Sequence, residues 1–129
     1  MIKLYRVILP VKNIEEAARF YSAILKSAGE RVSSGRHYFD CGGTILACYD
    51  PTADGDEIDR GWLMHKNQYL YFAVDDIEET YRLLQKQGAT IEGEIEKMPW
   101  GEIIFYARDP FGNPISFVDS KTIFTGTKK

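Results

Sequence analysis

A six-residue phrase occurs twice in this chain and constrains its fold more than any other feature. Residues 11–16 read VKNIEE and residues 74–79 read VDDIEE, at an offset of 63 positions. Each copy follows an apolar run rich in branched and aromatic residues, which favours a strand, and begins an amphipathic segment with helical spacing. A short polar residue followed three positions later by glutamate is the pattern of a helix capping box. The sequence therefore predicts two halves built alike, each passing from a strand into a capped helix.

The helices are predicted to begin after Asn13 and Asp76, which are good N-cap residues. Their apolar stripes stop near Gly29 and Gly88, and glycine is common where helices end. The glutamates of the two phrases then fall in first helical turns, where a negative charge suits the helix dipole. That position explains them as solvated capping groups rather than as paired catalytic carboxylates.

Three further strands are predicted after each helix. They lie at 30–34, 36–41 and 44–49 in the first half and at 89–97, 102–108 and 114–119 in the second. With its leading strand and helix, each half reads βαβββ, and the predicted fold class is α+β. One domain is expected over residues 1–129, with halves 1–50 and 67–119 and a turn-rich, initially acidic linker over 51–66.

The composition bounds the class of protein and its partners. A chain of 129 residues with 44% hydrophobic and 27% charged residues is typical of one globular domain. Its net charge of -3 and pI near 5.4 leave no basic stripe for a phosphate backbone, so we expect no nucleic-acid partner. The sequence shows neither a signal-peptide pattern nor an apolar segment of membrane length. We therefore expect no membrane partner and a cytoplasmic location.

Two cysteines, Cys41 and Cys48, are predicted to lie on a hairpin with a tight turn at 42–43. The register sets Cys41 opposite Thr44 and Cys48 opposite His37, so the two sulfurs cannot meet. Free thiols suit a reducing compartment. A cysteine beside an imidazole is also how thiolates are activated, but no third group is evident, and a buried, inert cysteine is the favoured interpretation.

The most specific segment lies at residues 99–119, which read PWGEIIFYARDPFGNPISFVD. Within it, residues 109–113 form a tight turn between two apolar strands. This segment and the two βαβββ halves resemble the vicinal oxygen chelate superfamily, which includes glyoxalase I, extradiol dioxygenases, fosfomycin resistance enzymes and bleomycin resistance proteins. The resemblance implies that each half curls its sheet into a cup and that the two cups form a curved mixed sheet around one cleft.

Metal-dependent members of that superfamily place ligands on the first and last strands of each half. The resemblance puts these positions at Arg6 and Tyr69, at Leu46 or Ala47, and at Ser116. Sites for Mg²⁺, Mn²⁺, Fe²⁺, Ni²⁺ and Zn²⁺ use imidazole, carboxylate and thiolate groups, and an arginine repels a cation. The fold and the cleft are therefore expected without the metal, and no cofactor is predicted.

Alternation along the two leading strands predicts which side chains face the cleft. The predicted cleft face carries Leu4, Arg6 and Ile8 in the first half and Tyr69, Tyr71 and Ala73 in the second. The residues between them, Tyr5 included, are predicted to pack on the helices. Rigid aromatic rings with one positive charge suit a flat or anionic organic molecule.

Within the superfamily, the chain most resembles the bleomycin resistance proteins. This resemblance implies a metal-free homodimer that binds a small molecule without changing it chemically. The predicted ligand-binding residues are Arg6, Tyr69, Tyr71, Trp100 and Ser116. Trp100 and Trp62 suit a core or dimer contact equally well, and no catalytic residue is predicted. One alternative is a lactoylglutathione lyase-like lyase or isomerase, of glyoxalase type, with metal ligands from other positions. Another is an ancillary interaction domain whose cup is filled.

Overall fold

The computed structural model describes residues 1–57 and 64–125 and divides the chain into two compact units, Met1–His65 and Lys66–Lys129. The first unit contains β1 (Arg6–Pro10), α1 (Ile14–Leu25), β2 (Glu30–Ser33), β3 (Arg36–Cys41) and β4 (Thr44–Tyr49). The second contains β5 (Leu70–Val74), α2 (Ile77–Lys86), β6 (Thr90–Ile91), β7 (Glu96–Lys97), β8 (Ile103–Arg108) and β9 (Pro114–Asp119), followed by a 3₁₀ turn at Ser120–Thr122.

Each unit is a small mixed sheet with one helix, as the α+β prediction required. The strands of the first unit run in the order β1-β4-β3-β2, and those of the second in the order β5-β9-β8-β6, with β7 also paired to β8. The leading strand pairs in parallel with the last one, β1 with β4 and β5 with β9, and the other pairs are antiparallel. The repeated βαβββ order is confirmed.

The predicted strand at 89–97 is the one element that the structure breaks in two. Only Thr90–Ile91 and Glu96–Lys97 pair with β8. Gly93 between them has φ +118, a conformation that residues with a side chain rarely adopt and that interrupts regular pairing. The second unit therefore carries two short strands where the first carries one.

The repeated phrase caps both helices as predicted. Asn13 Oδ1 accepts the backbone N–H of Glu16 at 3.0 Å, and Asp76 Oδ1 accepts that of Glu79 at 3.0 Å. Helix α1 ends at Leu25, short of Gly29, because Lys26 already adopts the left-handed conformation with φ 55. Each unit thus begins its helix by the same local hydrogen bond.

The core of each unit lies between its helix and one face of its sheet. In the first unit the fully buried ring of Tyr21 packs against Phe39 with centroids 6.4 Å apart. In the second, three phenylalanines stack in a row with successive centroids 5.3 Å apart: Phe72, Phe117 and Phe105. Aromatic rings thus fill both cores, which lie on the helix side of each sheet.

The hairpin of the first unit has the predicted register. His37 pairs with Cys48 and Cys41 pairs with Thr44, so the cysteines lie at different positions along the hairpin and are not joined by a disulfide. Burial raises the pKa of the half-buried Cys41 thiol above its usual value, which keeps it protonated.

The predicted linker over 51–66 begins as part of the first unit. Asp54 accepts hydrogen bonds from Ser33 Oγ at 2.8 Å, from the Gly35 N–H at 2.5 Å and from Arg36. These bonds tie the turns after β4 to the β2–β3 hairpin. Trp62 and the middle of the linker lie outside the described residues. No helix in the described part of the chain is long and apolar enough to cross a membrane.

Candidate functional site

The two leading strands alternate between a helix-packed face and an open face, the sheet side away from the helix. In β1 the side chains of Arg6 and Ile8 are exposed and Leu9 is fully buried. In β5 Tyr71 and Ala73 are exposed while their neighbours are half-buried. This confirms the predicted alternation within these strands.

Tyr5 departs from the predicted alternation. It was expected on the helix side, but it precedes β1 and is 59% exposed. Its ring lies beside the Arg6 guanidinium, with the Arg6 Cζ atom 5.4 Å from the ring centroid. The period-two rule fails here because it holds only where the chain is an extended strand.

The parallel pairing decides between the two candidates on β4. Ile8 pairs with Ala47 and Val7 pairs with Leu46, so Ala47 shares the open face and Leu46 lies on the helix side. In the second unit Tyr71 pairs with Ser116 in the same way. The four positions that the resemblance predicts for metal ligands are therefore narrowed to Arg6, Ala47, Tyr69 and Ser116.

The open face of the second unit carries a cluster of three tyrosines, Tyr69, Tyr71 and Tyr106, here called the tyrosine cluster. The ring centroids of Tyr69 and Tyr106 are 5.0 Å apart and those of Tyr71 and Tyr106 are 6.5 Å apart, both pairs edge-to-face. Tyr71 is 57% exposed. Burial and a hydrogen bond with Tyr71 raise the pKa of Tyr106 to about 12, so its hydroxyl is neutral at physiological pH.

An ion pair holds one end of the tyrosine cluster. Arg108 Nε donates to Glu92 Oε2 at 2.9 Å, and the Tyr69 hydroxyl donates to Glu92 Oε1 at 2.7 Å. Burial by itself would raise the pKa of Glu92, but the bonds from Arg108 and Tyr69 and the charge of Arg108 outweigh it, and the pKa lies below its usual value. Burial and the bond to Glu92 raise the pKa of Tyr69. At neutral pH Glu92 is therefore ionised and Tyr69 is protonated.

The sequence did not single out Tyr106 or Glu92, although both belong to this arrangement. Tyr106 faces Ser116 on β9, and Glu92 follows the short β6 strand at the break in the predicted 89–97 strand. The alternation of β8 could have placed Tyr106 on the open face once the register with β9 was known. Nothing in the local sequence marks Glu92, because its partner Arg108 is 16 residues away.

Ser116 and Trp100 occupy different surroundings from the other predicted binding residues. Ser116 is fully buried, and its hydroxyl donates to the Phe105 carbonyl oxygen at 3.0 Å. Trp100 is 67% exposed in the turn between β7 and β8, where its Nε1 donates to Glu102 at 2.9 Å. The structure thus brings Tyr69 and Tyr71 together. Ser116 lies on β9 between Tyr71 and Tyr106 but is buried, and Trp100 lies in a separate turn. Ligand contact by all five predicted residues, Arg6 included, stays a prediction.

The residues at the four ligand positions do not fit a metal ion. They offer a guanidinium, a methyl group, a phenol and a buried hydroxyl, none of which is a usual ligand of divalent metals. Among the described residues, no group of three or more histidine, cysteine, aspartate or glutamate side chains is arranged to hold a metal.

The pairing of His37 with Cys48 does not form a catalytic couple. His37 Nδ1 accepts from Arg31 Nε at 3.2 Å and Nε2 lies 2.9 Å from the Ala28 carbonyl oxygen, so both ring nitrogens serve in the fold. Cys48 is fully buried. A substrate could not reach its sulfur, and a structural role follows for both residues.

The comparisons with known proteins agree with this fold. A family model for the Glyoxalase/Bleomycin resistance protein/Dioxygenase superfamily matches residues 3–117. No curated protein sequence matches the chain. A glyoxalase-related enzyme from Fulvimarina pelagi is similar in structure, with 18% identity, a TM-score of 0.74, and coverage of 92% of this chain and 88% of that one.

Two further solved structures are similar. A glyoxalase/bleomycin resistance protein from Albidiferax ferrireducens T118 has 21% identity, a TM-score of 0.70, and coverage of 89% of this chain and 97% of that one. A lactoylglutathione lyase from Agrobacterium tumefaciens has 19% identity, a TM-score of 0.63, and coverage of 92% and 94%. At these identities the likeness concerns the fold alone.

Proposed function

Because the chain belongs to the Glyoxalase/Bleomycin resistance protein/Dioxygenase superfamily, we propose that it binds a small aromatic or anionic organic molecule and does so without a metal ion. The observation that carries the proposal is the tyrosine cluster on an open sheet face. Three rings held edge-to-face, one of them largely exposed, offer a flat ligand stacking surface and phenol hydrogen bonds. Such a site resembles a ligand pocket wall more than a solvated surface.

Binding rather than catalysis is supported by the protonation of the groups beside the cluster. A general acid or base works best with a pKa near the operating pH. The pKa of Tyr106 is raised to about 12 and that of Glu92 is lowered, so both lie far from neutrality. The four positions predicted for metal ligands carry none of the usual ligands of divalent metals, which supports ligand binding without a metal ion.

The aromatic half of the proposal is tested with benzamide, an uncharged aromatic probe, by NMR titration. We expect shifts in the amide signals of Tyr71 and Tyr106 and weaker binding by a Tyr71→Leu variant. Phe124→Leu is the matched control, because Phe124 is also an exposed aromatic residue but follows the 3₁₀ turn and is not part of the tyrosine cluster. Equal binding by wild type and Tyr71→Leu would contradict the proposal.

The metal-free part is tested by elemental analysis of protein purified without chelators. We expect no stoichiometric nickel, zinc, iron or manganese, and no change of melting temperature when these ions are added. One equivalent of tightly bound metal would overturn the proposal in favour of a glyoxalase-type lyase or isomerase with ligands from other positions.

We also propose a cytoplasmic homodimer, for which sedimentation equilibrium gives the mass.

A further inference from the structure

The guanidinium of Arg6 is held by aromatic groups rather than by a carboxylate. Its Nη1 donates to the Tyr38 hydroxyl at 3.0 Å, and its Cζ lies 5.4 Å from the ring centroid of Tyr5 and 5.7 Å from that of Tyr38. Three other arginines pair with carboxylates instead: Arg31, Arg36 and Arg108. The charge of Arg6 is therefore fixed in position without being neutralised by a described residue of its unit.

One edge of this guanidinium remains open. Tyr38 takes Nη1, whereas neither Nε nor Nη2 of Arg6 donates to a group in the described residues of the first unit. Nε and Nη2 present two parallel N–H groups, which is the fork that binds a carboxylate through two hydrogen bonds. Arg108 is a contrast, because its Nε, Nη1 and Nη2 all donate to protein oxygens.

The surface beside Arg6 is apolar. Ile8 lies two residues along β1 on the same open face and is 47% exposed. Ile45 is the β4 partner of Arg6 and is half-buried. A small inorganic anion would use the charge alone, whereas an organic acid would also bury apolar surface against these two side chains.

We propose that the open Nε and Nη2 edge of Arg6, with Ile8 and Ile45, binds the carboxylate of a small apolar organic acid. The inference rests on the proposed function, of which it names the anionic ligand class. It depends on residues of the first unit and on none of the tyrosine cluster. No covalent step is involved, because the site offers only charge, hydrogen bonds and apolar contact.

The test is an NMR titration of the full chain with benzoate, with benzamide as its uncharged counterpart, and with inorganic phosphate. Benzoate is expected to shift the amide signals of Arg6 and Ile45 and to bind there about tenfold tighter than benzamide, as a charge-assisted hydrogen-bonded pair should. Arg6→Gln removes this preference. Arg6→Lys keeps the charge without the fork and retains part of it.

Arg19→Gln is the matched control, since Arg19 is an exposed arginine on α1, across the sheet from the open face. It should bind benzoate as the wild type does. Equal affinity of benzoate and benzamide at Arg6, or unchanged binding by a folded Arg6→Gln variant, would overturn the inference. Phosphate binding as tightly as benzoate would overturn the carboxylate class. If benzamide caused no amide shifts at Tyr71 while benzoate still bound at Arg6, the result would count against the proposed function but not against this inference.

Discussion

The side chain of Arg108 reaches Glu92 with an Nε to Oε2 distance of 2.9 Å, and the other oxygen of the same carboxylate accepts the Tyr69 hydroxyl at 2.7 Å. One carboxylate thus fixes both an arginine and a tyrosine. The ring of Tyr69 in turn packs edge-to-face on Tyr106. The position of the tyrosine cluster therefore depends on the ion pair between Glu92 and Arg108, which the local sequence does not predict.

Replacing Glu92 by glutamine should loosen this arrangement. The amide keeps the size of the side chain but loses the charge that pairs with Arg108, so Glu92→Gln should lower the free energy of unfolding by about 1 kcal/mol. Chemical denaturation measures the loss. Glu94→Gln, two residues along at an exposed position, is the control and should be close to neutral. Equal stability of the two variants would show that the pair contributes nothing to the fold.

The same carboxylate should make stability depend on acid pH. The pKa of Glu92 is lower in the folded state than its ordinary value of 4.5, so the folded protein holds the proton less tightly than the unfolded chain does. The stabilisation is complete above the unfolded pKa and is lost as pH falls through the folded pKa. The difference in unfolding free energy between wild type and Glu92→Gln should therefore be constant above about pH 6 and shrink below 4.5. A difference that grows on acidification would contradict this assignment.

Tyr106 should titrate later than an ordinary tyrosine. Its pKa is raised to about 12, first by burial and then by the hydrogen bond with Tyr71. Tyr71→Phe removes the hydrogen bond and leaves the burial, so the pKa of Tyr106 should fall but remain above the ordinary 10.0. NMR detection of the Tyr106 ring signals through alkaline pH reports the change. Tyr5→Phe, in the other unit, should leave the titration of Tyr106 unaltered.

The two caps can be weighed against each other. Asn13→Ala and Asp76→Ala each remove the side-chain oxygen that accepts a first-turn N–H, and each should cost about 1 kcal/mol of unfolding free energy. Lys12→Ala is the control, because it neighbours the cap without accepting that bond, and its effect should stay within about 0.5 kcal/mol. If either cap variant matched the control in denaturation experiments, that copy of the phrase would lack its structural role.

Gly35 should tolerate no side chain, for a reason unlike that of most glycines here. A Cβ atom at Gly35 would lie 2.2 Å from the Asp50 carbonyl oxygen, so the backbone of the turn would have to move. Gly35→Ala should cost about 3 kcal/mol of unfolding free energy. At Gly42 the space is open and only the positive φ of +68 is strained, so Gly42→Ala should cost about 1 kcal/mol. Thermal or chemical denaturation of the two variants gives the order, and the reverse order would contradict the contact.

Local signals in the sequence were enough to predict most of the fold. The strands at 36–41, 44–49 and 114–119 and the caps at Asn13 and Asp76 are found where they were predicted. These features depend on residues close together in the chain: alternation, capping oxygens and turn glycines act over a few positions. The break at Gly93 was missed because a glycine inside a strand pattern permits either pairing or interruption.

The sequence by itself determined the repeated βαβββ order, the register of the cysteine hairpin and the presence of Arg6 and Tyr69 where a metal-dependent relative would place ligands. Only the tertiary structure decided that Ala47 rather than Leu46 shares the open face and that Ser116 is buried. It also showed that Tyr106 completes the tyrosine cluster and that Glu92 binds the Tyr69 hydroxyl at its edge. The physical reason is the distance along the chain between the residues that interact. Helix caps and turns are settled by neighbours along the chain, whereas parallel strand register, burial and the ion pair between Glu92 and Arg108 join residues that meet only when the sheet has formed.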